Sequence, residues 1–69
     1  MTAFIELTNA LDNTKICFNI ENMSSFTEDP SHYNGANSMV WAWNGINYVK
    51  ETYDEIVKLL KKINRSNFD

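Results

Sequence analysis

Apolar and polar positions alternate through most of the first fifty residues. Ala3, Ile5 and Leu7 fall on one side of an extended segment, and Phe4, Glu6 and Thr8 on the other. That period of two predicts a strand. Asp12-Asn13 supplies side chains that favour a turn. Lys15 to Ile20 then alternates again, with Ile16, Phe18 and Ile20 on one side, so a first hairpin is expected. Asn19 to Met23 is ambiguous and reads as a short turn into a third strand around Met23 to Thr27. Residues 28–38 are crowded with turn formers and punctuated by Pro30 and Gly35. A loop this long in so short a chain is usually functional or mobile.

Asn44-Gly45 between two apolar runs is the strongest local signal. It predicts a hairpin of Ser38 to Trp43 and Ile46 to Lys50 around a type I′ turn, whose two central residues both need positive φ. In that register Trp43 faces Ile46, Trp41 faces Tyr48 and Met39 faces Lys50, all on one side. Val40, Ala42, Asn47 and Val49 take the other side. A helix follows. Thr52 and Glu55 have the spacing of a capping box. Tyr53, Ile56, Val57, Leu60 and Ile63 recur at helical spacing, with Leu59 widening the stripe. Acidic Asp54 and Glu55 open the helix and Lys58, Lys61, Lys62 and Arg65 lie toward its end, as the helix dipole favours. Asn64 to Asp69 is expected to fray.

These elements predict an α+β fold, a small antiparallel β-sheet of four to five strands with one C-terminal helix packed on one face. The 69 residues make one domain, with the sheet over about 3–50 and the helix over about 52–64. Five strands span roughly 20 Å, whereas one helix is only ~10–12 Å across. The helix therefore cannot roof a whole sheet face, and both faces of the last hairpin carry apolar residues. A chain this short also lacks the usual staples of small folds, a disulfide or a metal. A homo-oligomer, a dimer or higher, meeting through a sheet face or an edge strand is expected.

Composition narrows the chemistry. One His and one Cys exclude an internal disulfide and a His/Cys zinc site within one chain. No apolar run approaches a membrane span, and no signal-peptide pattern is seen. Cytoplasmic location is the default, the host-cell cytoplasm if the chain is phage-encoded. There is no Walker loop, dinucleotide fingerprint or nucleophile elbow. Cys17 has neither a His nor a CxxC partner and reads as a small buried or edge residue. Glu28 and Asp29 are adjacent and point apart, as expected of a solvated loop. No catalytic residue, metal or cofactor is assigned. Residues 1–57 carry a net charge of -6 and residues 58–69 a net of +3. Duplex DNA is thus a poor partner for this acidic chain.

The aromatic residues remain. Trp41 and Trp43 stand on one side of a strand with Tyr48 opposite. One reading places them in the core beneath the helix. The sharper one makes them a stacking platform for a nucleobase. The candidate ligand-binding set is then Trp41, Trp43 and Tyr48, edged by Lys50, His32, Tyr33 and Asn34, with Lys50, Arg65 or loop amides holding phosphates.

The run Asn44-Gly45-Ile46-Asn47-Tyr48-Val49-Lys50-Glu51-Thr52, followed by Asp54-Glu55-Ile56, and the initial Phe4-Ile5-Glu6-Leu7-Thr8 resemble the layout of the small flagellar and swarming-motility protein family and of similar short phage-encoded proteins. The resemblance implies the same strand–hairpin–helix fold over most of the chain. The expected function is a non-enzymatic, small oligomeric binding protein. Its most concrete form is a phage-type protein that sequesters a small nucleotide-like signalling ligand in anti-defence. The alternative is a protein-binding regulator or inhibitor acting through an exposed sheet face or edge, as in a motility-type regulatory protein.

Overall fold

The computed structural model describes residues 3–68, with side chains through Ile63 toward the C-terminal end. It is an α+β fold of five antiparallel strands and one C-terminal helix. The strands are β1 (Phe4–Thr8), β2 (Lys15–Asn19), β3 (Met23–Glu28), β4 (Ser38–Ala42) and β5 (Gly45–Val49), followed by α1 (Tyr53–Phe68). A tight turn at Ile20–Asn22 links β2 to β3, and another at Tyr33–Gly35 lies between β3 and β4. The helix extends past the predicted end at residue 64.

The strands form two sheets rather than the single sheet expected. One pairs β1 with β2, and the other runs β3–β4–β5. They meet at one corner, through the bridge Asn9↔Val49 and the backbone bonds Lys50 N–H to Thr8 O (2.9 Å) and Ala10 N–H to Tyr48 O (2.9 Å). Strand alternation does not report this division, because the order in which strands pair depends on where they stop pairing.

Both sheets turn their apolar faces toward one core. Ile5 and Leu7 of β1, Phe18 of β2, Val40 of β4, Val49 of β5 and Ile56 of α1 are buried together. The alternation read from the sequence assigns β1 and β2 correctly: Ile5↔Phe18 and Leu7↔Ile16 face inward, while Phe4↔Asn19, Glu6↔Cys17 and Thr8↔Lys15 face out. The β1–β2 sheet therefore shares the covering that the width comparison assigned to the helix alone. α1 lies along β3, with the Tyr53 ring 5.1 Å from that of Phe26 and Leu60 beside Ile20 and Met23. Its capping box forms as expected. The Thr52 N–H donates to Glu55 Oε1 (2.8 Å), and the Glu55 N–H donates to Thr52 Oγ1 (3.1 Å).

The β4–β5 hairpin corrects the predicted turn. Ala42 pairs with Gly45, Trp41 with Ile46 and Met39 with Tyr48, so the loop is Trp43-Asn44 and not Asn44-Gly45. Lys50 lies beyond β5 and does not pair with Met39. The reason is conformational. A type I′ turn needs positive φ at both central residues, and Asn44 is not among the positive-φ residues, whereas Gly45 has φ 105°. The hairpin places its one glycine, free to take positive φ, just after the turn, at the first pair of the ladder. Because the register moved by two residues, every side chain still paired in the ladder kept its predicted face, while Trp43 moved into the turn and Lys50 beyond the strand.

Candidate functional site

The face of β3–β4–β5 turned away from the core carries Ser25, Thr27, Met39, Trp41, Ile46 and Tyr48. It contains no charged side chain, although the whole chain holds nine carboxylates. α1 packs on the opposite face, against Val40 and Val49. The tryptophans are therefore not beneath the helix. Trp43, at the hairpin tip, is 80% exposed, and Ile46 is 48% exposed. Trp41 is half-buried, directly across from Ile46 and beside Ser25 on β3. Burying a Trp ring removes up to ~250 Å² from water, so Trp43 alone leaves roughly 200 Å² exposed. With its neighbours it forms an apolar strip of several hundred Å², an extent that usually marks an interaction surface.

The 28–38 loop closes one end of the strip. The Tyr33 ring lies 4.7 Å from that of Tyr48, at an interplanar angle of 51°. This tilted contact is among the favoured arrangements of aromatic pairs. Asp29 positions it. Expected to be solvated, Asp29 is only 3% exposed. Its Oδ1 accepts from the Ser31 hydroxyl (2.7 Å) and N–H (3.0 Å), and its Oδ2 accepts from the Tyr33 N–H (3.1 Å). The Ser31 hydroxyl, above all, holds this carboxyl below its ordinary value against the opposing effect of burial, with the backbone N–H groups of Tyr33 and Ser31 assisting. The Asp29-Pro30-Ser31 run is a turn-initiating sequence and is the signal that could have marked Asp29.

His32 and Asn34 flank Tyr33 in left-handed conformations, each at φ 53°. The His32 Nδ1 lies 2.9 Å from the Ala36 carbonyl. Since a carbonyl only accepts, Nδ1 carries the proton there, and the imidazole is tied to its own loop. Lys50 is exposed just past Val49, beyond the end of β5. Its backbone is fixed by Thr8 on one side and by the Asn37 amide, which donates to its carbonyl (2.7 Å), on the other.

The predicted residues therefore divide. Trp41 and Tyr48 share the outer face and Tyr33 packs on Tyr48, Trp43 stands at the hairpin tip, and His32, Asn34 and Lys50 lie at the loop end. Arg65 belongs to α1, the helix on the opposite face, and its side chain lies outside the described residues. A groove of ~140 Å³ lies between β3 and α1, lined by Ile20, Met23, Ser24, Ser25, Phe26 and Leu60, and none of the predicted ligand residues lines it. Cys17 is exposed on the outer face of β2, opposite Glu6. Among the described residues, no group of three or more His, Cys, Asp and Glu side chains is placed to hold a metal ion. No described helix is long and apolar enough to cross a membrane.

Sequence reasoning missed Glu51. Its carboxylate accepts from the Thr8 N–H at Oε1 (2.8 Å) and from the Thr8 hydroxyl at Oε2 (2.9 Å), tying the end of β1 to the segment leading into α1. Nothing local in the sequence signals a contact across 43 positions. No family model matches the chain, and neither a curated protein nor a solved structure shows significant similarity to it.

Proposed function

We propose that this chain is a non-enzymatic binding module that engages a protein partner through the outer face of its β4–β5 hairpin, as in the regulator or inhibitor reading. The observation that carries it is the uncovered strip of Met39, Trp41, Trp43, Ile46 and Tyr48, free of charge in an acidic chain. Exposed Trp43 and Ile46 beside half-buried Met39, Trp41 and Tyr48 in an uncharged patch have the composition of the buried centre of a protein interface. Ile46 and Met39 interleave the rings and offer nothing to a nucleobase but suit an apolar side chain. The strip is the outer surface of a hairpin, whereas small-ligand sites are usually concave.

Sequestration of a nucleotide-like ligand is the second reading. Trp43 favours it, since its ring at the hairpin tip is open enough to stack on a base, with exposed Lys50, just beyond β5, to meet a phosphate. Tryptophan fluorescence separates the two. Cyclic dinucleotides and linear nucleotides titrated onto the protein are expected to leave the emission unchanged. Saturable quenching that Trp43→Ser abolishes replaces the protein-partner reading with the nucleotide one. A protein retained by the wild type, lost with Trp43→Ser plus Ile46→Ser and kept by Phe4→Ser on the other sheet, supports the partner reading.

A further inference from the structure

Two of the edge strands, β3 and β2, are treated differently. β3 is protected in two ways. Its register breaks between Met23 and Ser25, a bulge that spoils the edge as a template, and α1 lies alongside it through Tyr53 and Leu60. β2 has neither protection. It is a regular strand, without bulge or proline, and pairs with β1 on one side only.

The bonds at the ends of the β1–β2 ladder show which groups β2 leaves open. Ile20 N–H donates to Ala3 O (3.0 Å) and Asn9 N–H to Thr14 O (2.8 Å). In an antiparallel ladder, hydrogen-bonded and non-bonded pairs alternate. Ile5↔Phe18 and Leu7↔Ile16 are therefore the bonded pairs, and the backbone groups of Lys15, Cys17 and Asn19 point outward. Thr8 confirms the alternation, since its N–H and C=O serve Glu51 and Lys50 on the far side of β1. Asn19 caps the following turn, so its carbonyl is taken. The open row is the N–H and C=O of Lys15 and Cys17, plus the N–H of Asn19.

A lysine on an edge strand commonly blocks strand addition. Here Lys15 is folded back over its own sheet, its Nζ donating to Thr8 Oγ1 at 3.0 Å. The ammonium is drawn away from the edge it would otherwise guard.

We propose that β2 is a strand-addition edge whose occupant is β2 of a second copy of this chain, running antiparallel in a register centred on Cys17. The open groups are nearly symmetric about that residue, so a two-fold axis through it lets the Cys17 residues exchange both of their N–H···O=C bonds. Each Asn19 N–H then reaches the partner's Lys15 carbonyl. Across the axis Lys15 meets the partner's Asn19, and no like charges stand directly opposite. On the inner face, half-buried Ile16 meets the partner's Phe18, which extends one apolar layer into the next. The product is a continuous β1–β2–β2–β1 sheet across the dimer, and the aromatic strip on β4–β5 is not consumed.

Position 17 reports the register directly, because Cys17 is exposed and its substitution removes nothing from the core. Sedimentation velocity in reducing buffer, up to millimolar concentration, is expected to show reversible dimerisation. Cys17→Asp places two carboxylates face to face beside Glu6 and its symmetry mate, and is expected to weaken the dimer about tenfold or more. Mixing Cys17→Asp with Cys17→Lys is expected to restore it, with circular dichroism checking that each variant folds. Amide exchange at Cys17 is expected to slow as concentration rises, while Ile16 and Phe18 stay protected throughout. A monomer at millimolar concentration overturns the proposal. So does a dimer indifferent to charge at position 17, or one that Trp43→Ser plus Ile46→Ser abolishes while Cys17→Asp spares it.

Discussion

Glu51 holds Thr8 by both of its donors, the backbone N–H at 2.8 Å and the hydroxyl at 2.9 Å. This carboxylate stands where the next ladder partner of β1 would be. Lys50 N–H already donates to Thr8 O, but the Lys50 carbonyl is occupied by Asn37, so the Thr8 N–H needs another acceptor. Glu51 supplies it and thereby ends the pairing of β1 with β5. The Ser38 hydroxyl, fully buried, fixes the same residue from the other side by donating to the Glu51 carbonyl (2.7 Å). The corner joining the two sheets thus depends on side chains more than on a regular ladder.

Glu51→Ala is therefore predicted to destabilise the fold by about 2 kcal/mol, the usual scale for losing hydrogen bonds to a charged acceptor. Glu51→Gln keeps one acceptor oxygen and should cost about half as much. Urea denaturation followed by circular dichroism measures both. Equal stability of wild type and Glu51→Ala would show that water replaces the carboxylate without loss.

Gly45 offers a test of the turn. A Cβ there meets no atom within 4 Å, so space is not the constraint, whereas the φ of 105° is. Gly45→Ala is predicted to cost about 1–2 kcal/mol through backbone strain alone. Asn44→Ala loses only the hydrogen bonding between its side chain and Asn47 (3.1 Å) and should cost less than about 1 kcal/mol. A type I′ turn centred on Asn44-Gly45 would reverse part of that contrast, because Asn44 would then need positive φ as well. Thermal melts of the two variants decide it.

What the sequence made legible follows from the range of each interaction. Facing residues were readable from parity, and parity survived even where the hairpin register moved by two. The Thr52–Glu55 cap was readable because both partners lie within one helical turn. The division into two sheets was not, since it depends on Lys50 and Thr8 pairing across most of the chain. The aromatic residues were recognised, but the apolar stripe of α1 could have packed on either face of the hairpin. Val40 and Val49 are buried with Ile56, whereas Trp41 and Tyr48 stay half-buried on the outer face. The side chain of Arg65 lies outside the described residues, and charge says nothing about which side of a sheet a helix takes.

Asp29 gives the fold a defined response to acid. Its native pKa lies below the ordinary 3.8, chiefly through the Ser31 hydroxyl. A carboxyl with a depressed native pKa contributes stability that is fully present above the unfolded value and is lost as pH falls through the native one. The loop carrying Tyr33 is thus predicted to loosen below about pH 4. Asp12 behaves alike, lowered first by the Thr14 hydroxyl. Asp29→Asn should lower the melting temperature at neutral pH and flatten its decline in acid, with Asp12 accounting for part of the slope that remains. An unchanged acid profile in Asp29→Asn would remove Asp29 from this role.

The two indoles should part company in solution. Trp43, exposed at the hairpin tip, is predicted to emit at long wavelength and to be quenched readily by acrylamide. Trp41, held between Ile46 and Ser25, should emit at shorter wavelength and be quenched less. Trp43→Ala should change stability by no more than about 0.5 kcal/mol, as is usual for surface substitutions. Trp41→Ala should cost about 1–2 kcal/mol, below the ~3–5 kcal/mol of a ring sealed in a core, because only part of its surface is withdrawn from water. Under the protein-partner reading, Trp43→Ala nonetheless abolishes binding, since a ring that contributes so little to folding has its surface free for a partner. The decisive comparison is stability against binding in the same variant. A Trp43→Ala protein that unfolds early would make the indole structural and remove the strip as a binding surface.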